Sequence, residues 1–339
     1  MRVRTPDIGR TRSPDTHRAM HSSITVPAWA GMPSVSARRA TGSSSRPPGR
    51  QAHEEPMSPV RTPLPGEPDA ARDADEARGA PGPRDASPRP EVALPALVLA
   101  GGLGLRLRSV TGDLPKILAT VGGEPFLHYV LARLRRDGIR DVTLCTGYGA
   151  DAVRRFAGTG EAWDLRIDYS EETTPLGTAG ALRLATAESA HERFLVLNGD
   201  SYFDIDLRDL VEAHARLGGL VTIAARRAES AGRFGAVRIG ADGAVEDFEE
   251  KREAGPATIN GGIYVIERSV LTDLPADVPV SLERDVFPAM VGAVSGDAPA
   301  SGGLMAALFD GFFVDIGIPD DHARIDREPG PLLGRAVRC

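Results

Sequence analysis

A short apolar run, Leu97-Val98-Leu99-Ala100, ends in Gly101-Gly102-Leu103-Gly104, and Arg106 and the pair Pro115-Lys116 follow. Glycines directly after a strand let the backbone approach a ligand closely, and the N–H groups of such a turn converge on an anion. Arg106 and Lys116 add full positive charge to that cradle. Spacing excludes two other glycine motifs. Leu107 stands where a dinucleotide fingerprint needs its third glycine, and no Gly-Lys-Ser/Thr closes a P-loop. The stretch reads as a triphosphate-binding loop, with a plain strand-to-helix turn as the alternative.

Carboxylates complement it. Asn198-Gly199-Asp200 follows the apolar run 194–197. Asp200 is placed to hold a hard cation such as magnesium, although Asn-Gly and Gly-Asp also favour ordinary turns. Asp315 lies among Phe313, Val314 and Ile316, where an unpaired charge is costly, so a cation or a donor is expected beside it. A second glycine loop, 171–180, precedes a helix whose N-terminus favours anions. Glu250 can accept from hydroxyls, Lys251 can neutralise a phosphate, and Asn260 can do both halves of a hydrogen-bond exchange. Of 40 Lys plus Arg, the lysines are Lys116 and Lys251, and the asparagines are Asn198 and Asn260. Arg therefore serves for ordinary surface charge. The remaining lysines point to places where a compact ammonium fits and a planar guanidinium does not. No Ser-His-Asp, Cys-His or zinc spacing is present.

The elements that position these residues are legible as a rhythm. Apolar strands are expected at 94–100, 142–146, 165–169 and 194–197. Helices are expected at 124–137 with Pro125 in the first turn, at 150–157, from a Thr178 cap to about 189, and from an Asp206 cap to 217. Such alternation predicts an α/β fold: a Rossmann-like, mostly parallel sheet with helices on both faces. Ligands bind such sheets beyond the carboxyl ends of the strands. The first glycine loop, Gly147-Tyr148 and Asn198–Asp200 should therefore share one edge. Strands at 220–226, 234–239, 244–249, 261–267 and 312–316 extend the sheet and supply a small antiparallel flap, with helices at 281–291 and 318–326.

The 339 residues divide unevenly. Residues 1–92 are rich in Pro, Arg and Ser, with Trp29 as their one aromatic, and cannot bury enough apolar surface to offset ordering; they read as a disordered tail. Residues 93–327 form the globular domain and 328–339 a loose tail. The tail is basic, so the net charge of −7 sits on the domain and argues against nucleic acid as a partner. No apolar run reaches membrane-spanning length. Cys145 and Cys339 make no disulfide framework, which fits a reducing cytoplasm. Homo-oligomerisation stays open.

Leu99-Ala100-Gly101-Gly102-Leu103-Gly104-Leu105-Arg106-Leu107 with Pro115-Lys116 resembles the signature of the sugar-1-phosphate nucleotidyltransferases. Pro175-Leu176-Gly177-Thr178, Asp200, Glu250-Lys251, Asn260-Gly261-Gly262 and Asp315-Ile316-Gly317-Ile318-Pro319 come after it in the family's order, so the likeness covers about 94–326. Leu105 and Ile318 stand where that family usually carries Thr or Ser and Thr. The resemblance implies a nucleotide-diphospho-sugar transferase fold. It also implies a nucleoside triphosphate and a sugar 1-phosphate as substrates, and magnesium on Asp200 and Asp315. It gives Arg106, Lys116 and Asp200 catalytic roles. It assigns Ala100, Gly101, Gly102, Gly104, Gly147, Gly177 and Thr178 to the nucleotide, and Glu250, Lys251 and Asn260 to the sugar phosphate. Within the family the likeness leans to guanylyl transfer from GTP onto a heptose 1-phosphate. Mannose, glucose or N-acetylmuramic acid 1-phosphate with another base is the alternative, and a non-catalytic nucleotide-sugar-binding subunit is the alternative of another class.

Overall fold

The apolar runs at 96–99 and 194–197 become strands because each buries both faces, whereas the alternating run at 166–171 lies at the sheet edge. The computed structural model describes residues 94–102, 104–229, 234–249, 255–276, 278–291 and 303–332. The expected tail 1–92, residues 333–339, and Glu250 and Lys251 lie outside them. In chain order, β1 (Ala96–Leu99) leads through the glycine loop to α1 (Arg108–Thr111) and a small hairpin of β2 (Thr120–Val121) and β3 (Glu124–Pro125). Then come α2 (Phe126–Arg136), β4 (Asp141–Thr146), α3 (Ala150–Ala157), β5 (Arg166–Glu171), α4 (Gly177–Thr186), β6 (Arg193–Asn198), β7 (Ser201–Phe203) and α5 (Leu207–Leu217). The second half holds β8 (Val221–Ala228), β9 (Ala236–Ile239), β10 (Val245–Glu249), β11 (Ala257–Glu267), α6 (Arg268–Thr272), α7 (Phe287–Met290), β12 (Leu304–Leu308), β13 (Phe313–Asp315) and α8 (Pro319–Arg327).

Among the described residues nine strands form one sheet along the path β10-β9-β11-β6-β1-β4-β5, with β8 beside β11 and β12 beside β8. β6, β1, β4 and β5 run parallel. β11 is antiparallel to β6, β8 and β9, and β12 is parallel to β8. Successive strand residues face opposite ways. Ala96 and Val98 of β1, with Leu144 and Leu197 on its neighbours, join Phe126, Leu131 and Leu134 of α2 and Leu210 of α5 in one core. Leu97 points to the other face, where α4 packs across β1, β4 and β5. Helices thus cover both faces, as the rhythm predicts.

Five local expectations change. Pro125 precedes α2, in extended backbone with ψ 141°, because it pairs with Thr120 in the small hairpin. Thr178 does not cap α4: the cap is Leu176, and the Thr178 side chain is engaged elsewhere. The expected helix at 281–291 divides into one π-helical turn, Leu282–Val286, and α7. The strand expected at 312–316 stands apart from the main sheet, because β13 pairs with β7 in a two-stranded sheet of its own, while β8 to β11 extend the main sheet as expected. Leu332, expected in the loose tail, is fully buried in the main core, while Glu328, Gly330 and Pro331 are exposed.

Two polar clusters brace this frame. Buried Arg133 on α2 donates to Ile205 O (3.1 Å), faces Asp137 and lies over the Tyr202 ring, tying α2 to β7. Burial lowers its pKa against the pull of Asp137. Far along the sheet, buried His214 on α5 takes the Thr222 hydroxyl on Nδ1 (2.8 Å) and donates from Nε2 to Glu267 (3.0 Å). Burial lowers the His214 pKa despite that carboxylate.

Candidate active site

Four parallel strands end at one edge, and a cavity of about 870 Å³ opens there. Its wall is built from the loops that leave these strands: Ala100, Gly101 and Gly102 after β1, Gly147 and Tyr148 after β4, Glu172 to Pro175 after β5, and Gly199 and Asp200 after β6. This is the edge that the strand order requires. The Ala100 N–H is taken by Cys145 O at 2.8 Å, whereas the Gly101 and Gly102 N–H groups meet no protein acceptor among the described residues.

Lys116 and Asp200 meet in this cavity. Lys116 Nζ donates to Asp200 Oδ2 at 2.6 Å, with the lysine side chain 13% and the aspartate 41% exposed. Asp315 arrives through the two-stranded pairing of β13 with β7, where Asp315 lies opposite Ser201 and Ile316 N–H donates to Asp200 O at 2.9 Å. Its carboxylate also accepts from the Gly317 N–H. Gly317 stands between Asp315 and Lys116: a Cβ there would lie 2.5 Å from Asp315 Oδ1 and 3.0 Å from Lys116 Nζ. Two carboxylates and an ammonium are therefore gathered from three distant parts of the chain. Asn198 Oδ1, on the same wall, is buried without a hydrogen-bond partner among the described residues. Such an acceptor calls for a donor from a ligand or water.

The other expected residues are distributed around this centre. Gly177 and Thr178 line the cavity. Gly104, in left-handed backbone, packs against Lys116 Cβ outside the lining. Arg106 stands exposed on the turn Leu105–Leu107 and makes no ion pair among the described residues. Asn260 is turned to the protein: its Oδ1 accepts from Gly262 N–H (2.9 Å), and its Nδ2 donates to the buried Tyr264 hydroxyl (2.8 Å). Burial pushes the Tyr264 pKa well above its ordinary value.

Two residues of the wall were not singled out from the sequence. Glu283 enters from the segment before α7. Glu172 lies against the backbone of both glycine turns, since a Cβ on Gly101 or Gly147 would come within 3.0 or 2.9 Å of its Oε1. Its Oε2 accepts from the Leu176 N–H at 2.9 Å. Burial raises the Glu172 pKa, partly offset by that N–H. Burial, with Glu172 as a lesser cause, pushes the neighbouring Cys145 thiol up to about 12. The sequence carried a signal for Glu172, two glycine turns flanking one acid, but only pairing of β4 with β5 shows that they meet.

Among the described residues no helix is long and apolar enough to cross a membrane, and no group of three or more His, Cys, Asp and Glu could hold a metal by itself.

Residues 95–325 match the family described as nucleotidyl transferase. The chain is 34% identical over 233 residues to the D-glycero-alpha-D-manno-heptose 1-phosphate guanylyltransferase of Aneurinibacillus thermoaerophilus, covering 69% of this chain and 97% of that one. It is 36% identical over 230 residues to the mannose-1-phosphate guanylyltransferase of Mycobacterium tuberculosis, covering 68% of this chain and 62% of that relative's length. The crystal structure of HddC from Yersinia pseudotuberculosis complexed with GMP-PN superimposes with a TM-score of 0.60 at 30% identity, over 69% of this chain and 99% of that one.

Proposed function

We propose, for a chain that belongs to the nucleotidyl transferase family, that it transfers a guanylyl group from GTP to a sugar 1-phosphate with release of pyrophosphate. The observation that carries this reading is the convergence of the glycine-loop amides, Lys116 and Asp200 on one cavity. Glu172 supports guanine as the base. Guanine offers two adjacent donors, N1–H and N2–H, along one edge, which match a carboxylate bidentately. The other common bases set an acceptor beside their donor there. A half-buried carboxylate with a raised pKa and a single N–H donor gains from further donors. For the sugar, a heptose 1-phosphate is favoured because the heptose relative is matched over 97% of its length and the mannose relative over 62%. Mannose 1-phosphate is the second reading, on the comparable identity.

A phosphate oxygen of the sugar 1-phosphate attacks the α-phosphorus in line. The new O–Pα bond forms as the bond from Pα to the β-phosphate oxygen breaks, and pyrophosphate leaves. The Gly101 and Gly102 amides and Arg106 hold the triphosphate. Lys116 meets the charge that develops between donor and acceptor phosphates, as preorganised electrostatics requires. Lys251 and Glu250, outside the described residues, are assigned to the sugar phosphate and its hydroxyls. Asp200 and Asp315 suit a hard cation, since they are adjacent and an ammonium already sits on Asp200. Magnesium held there would neutralise phosphate charge and align the phosphates. The presence of Arg106, Lys116, Asp200 and Asp315 together supports an enzyme over a sensor. Cysteine usage supports the cytoplasm as its compartment.

The test is pyrophosphate release by the purified full chain with magnesium, for four nucleoside triphosphates against heptose, mannose, glucose and N-acetylmuramic acid 1-phosphates. Turnover confined to GTP with heptose 1-phosphate is the expected result. Turnover with another pair overturns the substrate, and none with any pair overturns the reaction.

A further inference from the structure

The loop ahead of α4 is clamped by residues 280–286, distant in sequence. Val280 N–H donates to Leu176 O at 2.8 Å, and Val280 O accepts from the Ala179 and Gly180 N–H groups at 2.9 and 3.2 Å. A donor that a helix N-terminus leaves unsatisfied, the Ala179 N–H, is thereby consumed by the protein. Gly177 has φ +75°, and a Cβ there would stand 2.4 Å from Val280 O. The Thr178 hydroxyl is also committed. It donates to Glu283 Oε2 at 2.9 Å and accepts the Leu282 N–H at 2.8 Å. The Ser281 hydroxyl donates to the same Oε2 at 3.0 Å. The turn that carries Glu283 is π-helical, a form found mostly where function requires it.

The clamp therefore takes up the Thr178 hydroxyl and the Ala179 and Gly180 N–H groups. It offers the Glu283 carboxylate, which lines the cavity. Two hydroxyls fix that carboxylate through Oε2, and Oε1 meets no protein donor among the described residues. A carboxylate so held is a preorganised acceptor, and a sugar-type hydroxyl is the neutral donor that suits it. We propose that Glu283 is a specificity residue that accepts a hydroxyl of a bound substrate, and that Thr178 and Ser281 are its positioning residues. This rests on the nucleotidyl-transfer reading, in which both substrates carry such hydroxyls: the ribose of the nucleotide and the ring of the sugar 1-phosphate.

Deoxy substrates separate the two sources. In wild type and Glu283→Gln, steady-state turnover and calorimetric binding are measured with GTP and its 2′- and 3′-deoxy forms. The favoured sugar 1-phosphate and its singly deoxygenated forms are measured in the same way. The expected result is a roughly 10- to 100-fold rise in KM for one parent substrate in Glu283→Gln with kcat little changed, the size of a hydrogen bond to a charged group. That penalty should vanish for the one analogue lacking the hydroxyl read, and the analogue identifies the source. Ser281→Ala, which keeps the carboxylate, should shift the same KM a few-fold. Equal penalties in wild type and Glu283→Gln for every analogue, in turnover and in binding, overturn the role of Glu283. No turnover in the wild type with any substrate pair counts instead against the reaction, and the binding arm still decides Glu283.

Discussion

The sheet has two halves that build a site in different ways. In the half formed by β6, β1, β4 and β5, all strands run one way, so every strand delivers its outgoing loop to the same edge. In the half formed by β11, β8, β9 and β10, direction alternates, so strand ends divide between the two edges. The parallel half makes its site from loops: glycine turns, Glu172 and Asp200. The antiparallel half keeps its polar residues inside a strand, as with Asn260 and Tyr264, which bond to each other, and Glu283 comes from a separate turn packed on the first half. Loop residues are free to face a ligand. Residues within strands first meet the hydrogen-bond demands of the fold, which is why the Asn260 amide is spent on Gly262 and Tyr264.

The contrast is sharpest where charge is concentrated. Lys116→Ala and Asp200→Ala should each lower turnover by at least ~10²-fold in the pyrophosphate assay while thermal unfolding stays cooperative. A folded Asp200→Ala enzyme with full turnover would break the assignment of the parallel edge to chemistry. Next in size is Glu172→Gln, which should raise the GTP KM about 10-fold or more and narrow the preference for guanine, read from competing nucleotides. Because the Glu172 pKa is raised, its carboxylate takes up a proton at higher pH than an ordinary glutamate. GTP binding should therefore weaken on acidification sooner than a normal Glu would dictate, and the Gln variant should lack that limb. Smaller again, Gly177→Ala puts a side chain into left-handed backbone against Val280 and should cost about 1–3 kcal/mol, measured by denaturant unfolding. In the antiparallel half, His214 is held neutral with a lowered pKa. The unfolded chain then binds the extra proton, so stability should fall as pH drops below about 6.5, and His214→Gln should flatten that slope. The smallest expected effect is none: removing residues 1–90 should leave turnover unchanged.

The same contrast explains what the sequence disclosed. The parallel half announces itself, since β1 and β6 are continuous apolar runs and glycine turns follow β1, β4 and β6. Lys116 and Asp200 stood out through the scarcity of lysine and the Asn-Gly-Asp turn, and the structure brings them to 2.6 Å. What stayed hidden depends on contacts between distant segments. Leu304–Leu308 joins the sheet beside β8 as its parallel partner, yet its Leu-Met-Ala-Ala-Leu composition carries no strand signature. Glu172 becomes distinctive only when β4 and β5 pair, and Glu283 only when Val280 docks on Leu176. Thr178 looked like a cap because Thr caps helices locally, but the carbonyl of Val280 performed that task from afar.

One feature of the centre sets a rule of exchange. The ammonium of Lys116 is already the counter-ion of Asp200. A cation proposed for Asp200 would compete with that resident charge, and an ammonium drawn off it would need an anion to receive it. A triphosphate supplies that anion. Cation and nucleotide then each lower the cost of admitting the other, and by linkage the help is equal in both directions. Such a centre would behave as a coincidence detector, weakly disposed to either partner alone and set for chemistry by the pair.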